Sequence, residues 1–140
     1  MRITRRFDTS GFSEDQLAVL AVAEAFLLGI ERRDKALMLA QIHDAGGAAL
    51  IRNGAPVFTT LGGVVARIPF EHPKDISEVI SATPTILVDR DLAMAWTPYE
   101  FWIDGKVDHE GTDIWSFVKT DGKWLVSSVA DNFHKPAAAA

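Results

Sequence analysis

Apolar residues follow two rhythms along the chain. Over residues 14–32 they recur three and four apart: Val19, Val22, Ala23, Phe26 and Ile30 on one face, with Leu17, Leu20, Ala21 and Leu28 nearly opposite. That repeat predicts a helix, and two apolar sides predict cover on more than one side. Ser13 precedes it with Gln16 three residues on, the capping-box arrangement. Asp34 caps a second helix that the pattern carries to about His43, with Gly46-Gly47 as its stop. Residues 48–52 and 56–61 read as short strands joined across Asn53-Gly54. Residues 62–70 predict a third, short helix, and Pro69 and Pro73 bracket a loop.

From Asp75 onward the period drops to two. Residues 75–88 read as one strand with a break or bulge at Pro84, followed by strands over 92–103, 106–119 and 123–132. Asp104-Gly105 and Asp121-Gly122 suit two-residue hairpin turns, whose central residues need positive φ. Helices first and an antiparallel meander afterwards define an α+β domain. We divide the chain into a flexible arm over 1–12, one domain over 13–134 and a disordered tail over 135–140.

Composition narrows the function classes. The 140 residues are 48% apolar and 24% charged, as in ordinary globular domains, and include no cysteine. Thiol catalysis and cysteine metal sites are excluded. A net charge of −5 argues against nucleic acid and anionic membranes as partners. Arg5-Arg6-Phe7 is followed by polar residues rather than the apolar run of an export signal. The longest apolar run, 17–30, is interrupted by Glu24 and falls short of the roughly 20 residues of a membrane span. A cytoplasmic protein is expected. No histidine pair has metal-site spacing and no glycine motif suits a nucleotide, so neither metal nor cofactor is expected.

The hairpin at Asp104-Gly105 sets a register. With Ile103 opposite Lys106, one face carries Met94, Trp96, Pro98, Glu100 and Trp102 beside His109, Gly111, Asp113, Trp115 and Phe117. The other carries Thr97, Tyr99 and Phe101 beside Thr112 and Ile114. The first face is bulkier and is expected to face inward. Its ionisable members Glu100, His109 and Asp113 would then project from a tryptophan-rich wall, the usual composition of a small-molecule pocket. Pro98 has no N–H for a ladder, and its place opposite Gly111 points to a bulge there. Asp113, between Trp96 and Trp115, is expected to have a raised pKa. Glu100 and His109 would be cross-strand partners.

Trp96-Thr97-Pro98-Tyr99-Glu100-Phe101, Asp104-Gly105-Lys106, His109-Glu110-Gly111-Thr112-Asp113 and Asp121-Gly122-Lys123-Trp124 resemble the SnoaL-like, ketosteroid-isomerase-like bacterial branch of the nuclear transport factor 2-like superfamily. The resemblance runs from the first helix to Asn132. It implies a cone: a strongly bent antiparallel sheet wrapped around N-terminal helices, enclosing a pocket. It also implies a homodimer through the outer sheet face, here Thr97, Tyr99, Phe101, Thr112 and Ile114. Asp113 matches the isomerase's neutral oxyanion-hole aspartate in strand position, while Phe26 stands in place of its tyrosine and 48–51 hold no base. The resemblance therefore implies a pocket protein for a small apolar or aromatic metabolite, lined by Phe26, Met94, Trp96, Glu100 and Trp115. The alternative is an acid/base enzyme of cyclase, dehydratase or isomerase type using Asp113 and His109.

Overall fold

The computed structural model describes residues 5–137. Residues 1–4 of the expected arm and 138–140 of the expected tail lie outside the described residues. Helix α1 (Glu14–Glu31) begins at Ser13 with both capping-box hydrogen bonds formed. Asp34 caps α2 (Lys35–Leu39), and Thr60 caps α3 (Leu61–Ala66). The strands are β1 (Ile42–Arg52), β2 (Ala55–Thr60), β3 (Ile76–Ile80), β4 (Thr85–Asp89), β5 (Leu92–Ile103), β6 (Lys106–Thr120) and β7 (Lys123–Asp131).

All seven strands form one sheet in the order β2-β1-β7-β6-β5-β3, with β4 also on β5. The helices cover its inner face. Their side chains Val19, Leu20, Ala23, Phe26, Leu27 and Ile30 share a core with Trp115, Phe117 and Val126. The sheet is antiparallel except at β1–β7, which pair in parallel.

The second helix is shorter than its pattern predicts. It ends at Leu39, and residues 42–52 enter the sheet. Gly46 does not stop a helix. It lets β1 approach β7 closely, since a Cβ there would stand 2.3 Å from the Ser127 carbonyl oxygen. The strand expected over 75–88 is two strands, both on β5. Ser81 N–H donates to the Pro98 carbonyl at the break between them. N and O of one residue point to the same side of an antiparallel strand. The nitrogen of Pro98 therefore faces the gap between β3 and β4, where a missing N–H costs least.

The bulge lies elsewhere than expected. Trp102 pairs with Val107 but Phe101 pairs with His109, leaving Asp108 unpaired, while Pro98 sits opposite Thr112 without irregularity. Beyond Asp108 the partners on β5 shift by one. His109, Asp113 and Trp115 keep the inner face of β6, but Thr97, Tyr99 and Phe101 take the inner face of β5. Trp96 is 47% exposed, and Met94 and Glu100 share its outer phase.

The three expected dinucleotide turns form. Asn53-Gly54, Asp104-Gly105 and Asp121-Gly122 all have positive φ at both residues. The described part of the arm lies on the body: Arg5 pairs with Glu24, Arg6 pairs with Glu100 and stacks over Trp102, and Phe7 packs on the core. After α1, Arg33 donates to the carbonyls of Phe70, His72 and Lys74 and ties down the loop that follows α3. Among the described residues no helix is long and apolar enough to cross a membrane.

Candidate functional site

Between the helices and the inner sheet face lies a cavity of about 350 Å³. Phe26, Leu27 and Ile30 of α1 form one side, Val64 of α3 with Ile68 and Pro69 another. The sheet contributes Phe101, Trp115 and Val129, with Phe133 beyond its edge. Phe26 meets Trp115 edge-on at 5.7 Å. Into this apolar wall the strands set Arg52, Glu78, Tyr99, His109, Asp113 and Asp131.

Each polar group has an identifiable partner or an identifiable lack of one. Arg52 donates through both terminal nitrogens to Asp131, at 2.7 and 3.2 Å. This bidentate pair raises the guanidinium's pKa. Tyr99 donates its hydroxyl to the Asn132 carbonyl at 2.6 Å, and Trp115 donates Nε1–H to Thr97 Oγ1 at 2.9 Å. Gly111 makes the first contact possible. A Cβ there would stand 2.5 Å from Asn132 Oδ1 and 3.0 Å from the Tyr99 ring. His109 is stacked between Phe101 and Phe133, at 4.8 and 4.0 Å. Its Nδ1 lies 2.9 Å from Asp108 Oδ2, so Nδ1 carries the proton and Nε2 is the acceptor. Burial lowers its pKa and outweighs the opposing pull of Asp108, which keeps the ring neutral.

Asp113 is 4% exposed, and its Oδ2 is fully buried with no N–H or O–H partner. Its titratable neighbour is the carboxyl of Glu78, close enough that each shifts the other's titration. Two buried carboxyls this close resist double ionisation, so near neutral pH the pair holds on to one proton. Burial raises both pKa values. Glu78 is pushed up to about 7, and Asp113 is raised well above the carboxylate range by burial, then by the charge of Glu78. Burial beside these carboxylates also drives the Tyr99 phenol upward, so it stays a neutral donor. Among the described residues no three His, Asp or Glu side chains converge to hold a metal ion.

Of the residues expected at the site, Phe26, His109, Asp113 and Trp115 line the cavity. Met94, Trp96 and Glu100 do not. The two-for-one pairing at Asp108 turns their phase of β5 outward, and Glu100 pairs with Arg6 instead of His109. Tyr99, Phe101 and Thr97, expected on an outer dimer face, are buried on the inner one. Glu78, Arg52, Asp131 and Tyr99 are the site residues missed by the sequence reading. Three of them carry a signal: Glu78 falls in phase with Ile76 and Ile80, Arg52 with Leu50, and Asp131 with Val129. A charge in the buried phase of a strand marks a group that the fold must place deliberately.

No family model matches the chain, and no curated protein matches it. Solved structures do. One is a nuclear transport factor 2-like protein of unknown function from Shewanella baltica: 15% identity over 89% of this chain and 98% of that one, TM-score 0.68. Another is a protein from Novosphingobium aromaticivorans provisionally named an aromatic ring hydroxylase, at 16% identity, 88% and 91% coverage and TM-score 0.71. A third, from the same organism, is provisionally named the β subunit of an aromatic-ring-hydroxylating dioxygenase, at 17% identity, 89% and 92% coverage and TM-score 0.68. The chain has the nuclear transport factor 2-like fold. At such identities the likeness concerns the fold alone.

The carboxyl pair predicts a pH dependence of stability. A carboxyl whose folded pKa exceeds its unfolded value binds more protons in the native state, so stability falls as pH rises between the two values. For Glu78 that window runs from about 4.5 to about 7. With roughly 1.4 kcal/mol per unit, Glu78's contribution should fall by about 2–3 kcal/mol from pH 5 to 8. His109 has the opposite sign, since its lowered pKa makes stability rise with pH below about 6.5. Comparing urea melts of the wild type with those of Glu78→Gln isolates this group. The variant should lose the Glu78 part of the downward slope and keep the histidine's.

Proposed function

We propose that the chain binds one small aromatic or apolar molecule in this cavity, its polar end at Glu78 and Asp113. The observation that carries this reading is a pair of neighbouring carboxyls, Glu78 and Asp113, set in a largely aromatic and aliphatic wall. Apolar lining with a few placed polar groups is what small-molecule sites share. The hydroxylase names belong to two neighbours, and the aromatic reading here rests on the wall itself. In a titration with 2-naphthol, the fluorescence of Trp115 should quench saturably with 1:1 stoichiometry. Ile68→Trp, which fills the mouth, should abolish the effect. Quenching that stays linear, or is untouched by the mouth substitution, would end the reading.

A second reading is favoured by the position of Glu78 near pH 7, where a general acid or base works best. The Glu78–Asp113 pair would then move a proton on and off the bound molecule, with neutral His109 in the same wall. This is the acid/base alternative of the sequence, with Glu78 added. The check is exchange of the protons beside the carbonyl of 2-indanone in deuterium oxide, followed by NMR. The chain should accelerate exchange increasingly through pH 7, and Asp113→Asn should slow it by roughly 10²–10⁴-fold. Exchange at the buffer rate would leave the binding reading alone.

We propose further that two copies pair through the outer sheet face. Phe58, Ala49, Ala130, Ile114 and Trp96 lie directly opposite one another across five strands. Phe58 is 77% exposed and Trp96 47%. A continuous apolar row on a sheet face favours association. Of the dimer residues expected from sequence, Thr112 and Ile114 remain on this face. Sedimentation at micromolar concentration should give a dimer that Trp96→Glu converts to monomer; a monomeric wild type would refute the pairing.

A further inference from the structure

The cavity wall presents acceptors, and its buried donors are already engaged. The Tyr99 hydroxyl is held by the Asn132 carbonyl, Trp115 Nε1–H by Thr97, and His109 Nδ1–H by Asp108. Arg52 is divided between both oxygens of Asp131 and the Ile51 carbonyl. Arg67, the other guanidinium in the lining, is exposed at the mouth. What remains is the Glu78–Asp113 pair, one of whose buried oxygens, Asp113 Oδ2, receives no hydrogen bond from any N–H or O–H among the described residues.

Charge leads to the same place. Three carboxyls face the cavity, and the Arg52 guanidinium is taken by Asp131. The Glu78–Asp113 pair therefore has no cation of its own. One shared proton leaves it with a single negative charge in apolar surroundings, where an uncompensated charge is costly. A ligand that supplies both donors and a positive charge removes both deficits. An ammonium group brings three N–H donors and no acceptor. The faces of Phe26, Phe101, Trp115 and Phe133 suit the adjoining ring and attract the cation as well. A carboxylate or phenolate ligand would instead meet like charge, and the donors left to it belong to partly exposed Arg52 and to Arg67 at the mouth.

We propose that the ligand of this cavity is an arylalkyl amine, bound as its ammonium ion by Glu78 and Asp113 with its ring on the aromatic wall. The proposal rests on the reading of the cavity as a ligand site and names its ligand class. It also implies competition between the ammonium and the shared proton for the same oxygens. The other titratable or charged groups facing the pair are Asp131 on β7, Arg52 on β1, Tyr99 on β5 and His109 on β6. Of these, Tyr99 and His109 are neutral near pH 7, and Asp131 and Arg52 neutralise each other. Amine affinity should therefore follow the pair and rise as pH passes about 7.

The experiment is calorimetric titration of the full chain with three probes of one size: 2-phenylethylamine, 2-phenylethanol and phenylacetate. At pH 8 the amine should bind at least about tenfold tighter than the alcohol, a difference of about 1.4 kcal/mol, and phenylacetate should be the weakest. From pH 6 to 8 the amine's affinity should rise severalfold while the alcohol's stays constant. Glu78→Gln and Asp113→Asn should each bring the amine to within about threefold of the alcohol, and a far-ultraviolet circular dichroism spectrum matching the wild type shows that the variant is folded. Phenylacetate binding as tightly as the amine, or amine and alcohol binding alike, overturns the proposal while leaving the cavity a ligand site. Failure of all three probes together with 2-naphthol overturns both.

Discussion

One unpaired residue decides which side chains β5 turns inward. Between Trp102–Val107 and Phe101–His109 the ladder takes up Asp108 with no partner. Side chains alternate with a period of two, so one extra residue reverses the phase of everything beyond it on one strand. Without Asp108 the inner face would receive Trp96 and Glu100 together with Asp113 and Trp115. With it, the small residues Ala93, Ala95 and Thr97 come inward, and Tyr99 reaches the Asn132 carbonyl over Gly111. Along the cavity itself β5 presents Tyr99, Phe101 and Ile103 rather than Pro98, Glu100 and Trp102.

Inside that room the electrostatics are arranged by pairing. Arg52 and Asp131 cancel, His109 is held neutral between two rings, and Tyr99 is too deeply buried to ionise. Only Glu78 and Asp113 are left to titrate, and they do so jointly. Their raised titration is a consequence of burial and of each other's charge. The site's chemistry is concentrated in one pair, whose charge state bears on the stability of the fold.

Much of this was legible in the residues. The capping box at Ser13, the strands from Leu92 onward and the three dinucleotide turns follow from local rules that tertiary structure did not override. Asp113, Trp115, His109 and Phe26 were found because they carry chemistry or bulk at clear positions. The errors came from non-local facts. A helical stop at Gly46 and a strand glycine look alike in sequence, and only contact with Ser127 distinguishes them. The register at Asp104-Gly105 was right for two pairs and then lost, because a bulge at an ordinary aspartate has no signature in the sequence. Glu78 was legible as a charge in an apolar phase, but its partner Asp113 lies on a strand that is not its neighbour. Nothing short of the bent sheet brings the two together.

The guanidinium of Arg33 has a consequence for how this protein could change over evolutionary time. It grips the loop after α3 through the carbonyls of Phe70, His72 and Lys74. A carbonyl is present whatever the side chain, so the grip does not depend on the loop's own sequence. The residues at the cavity mouth are thereby free to vary while the path of the backbone is kept. Selection can retune what the mouth admits by single substitutions, without rebuilding the rim that carries them.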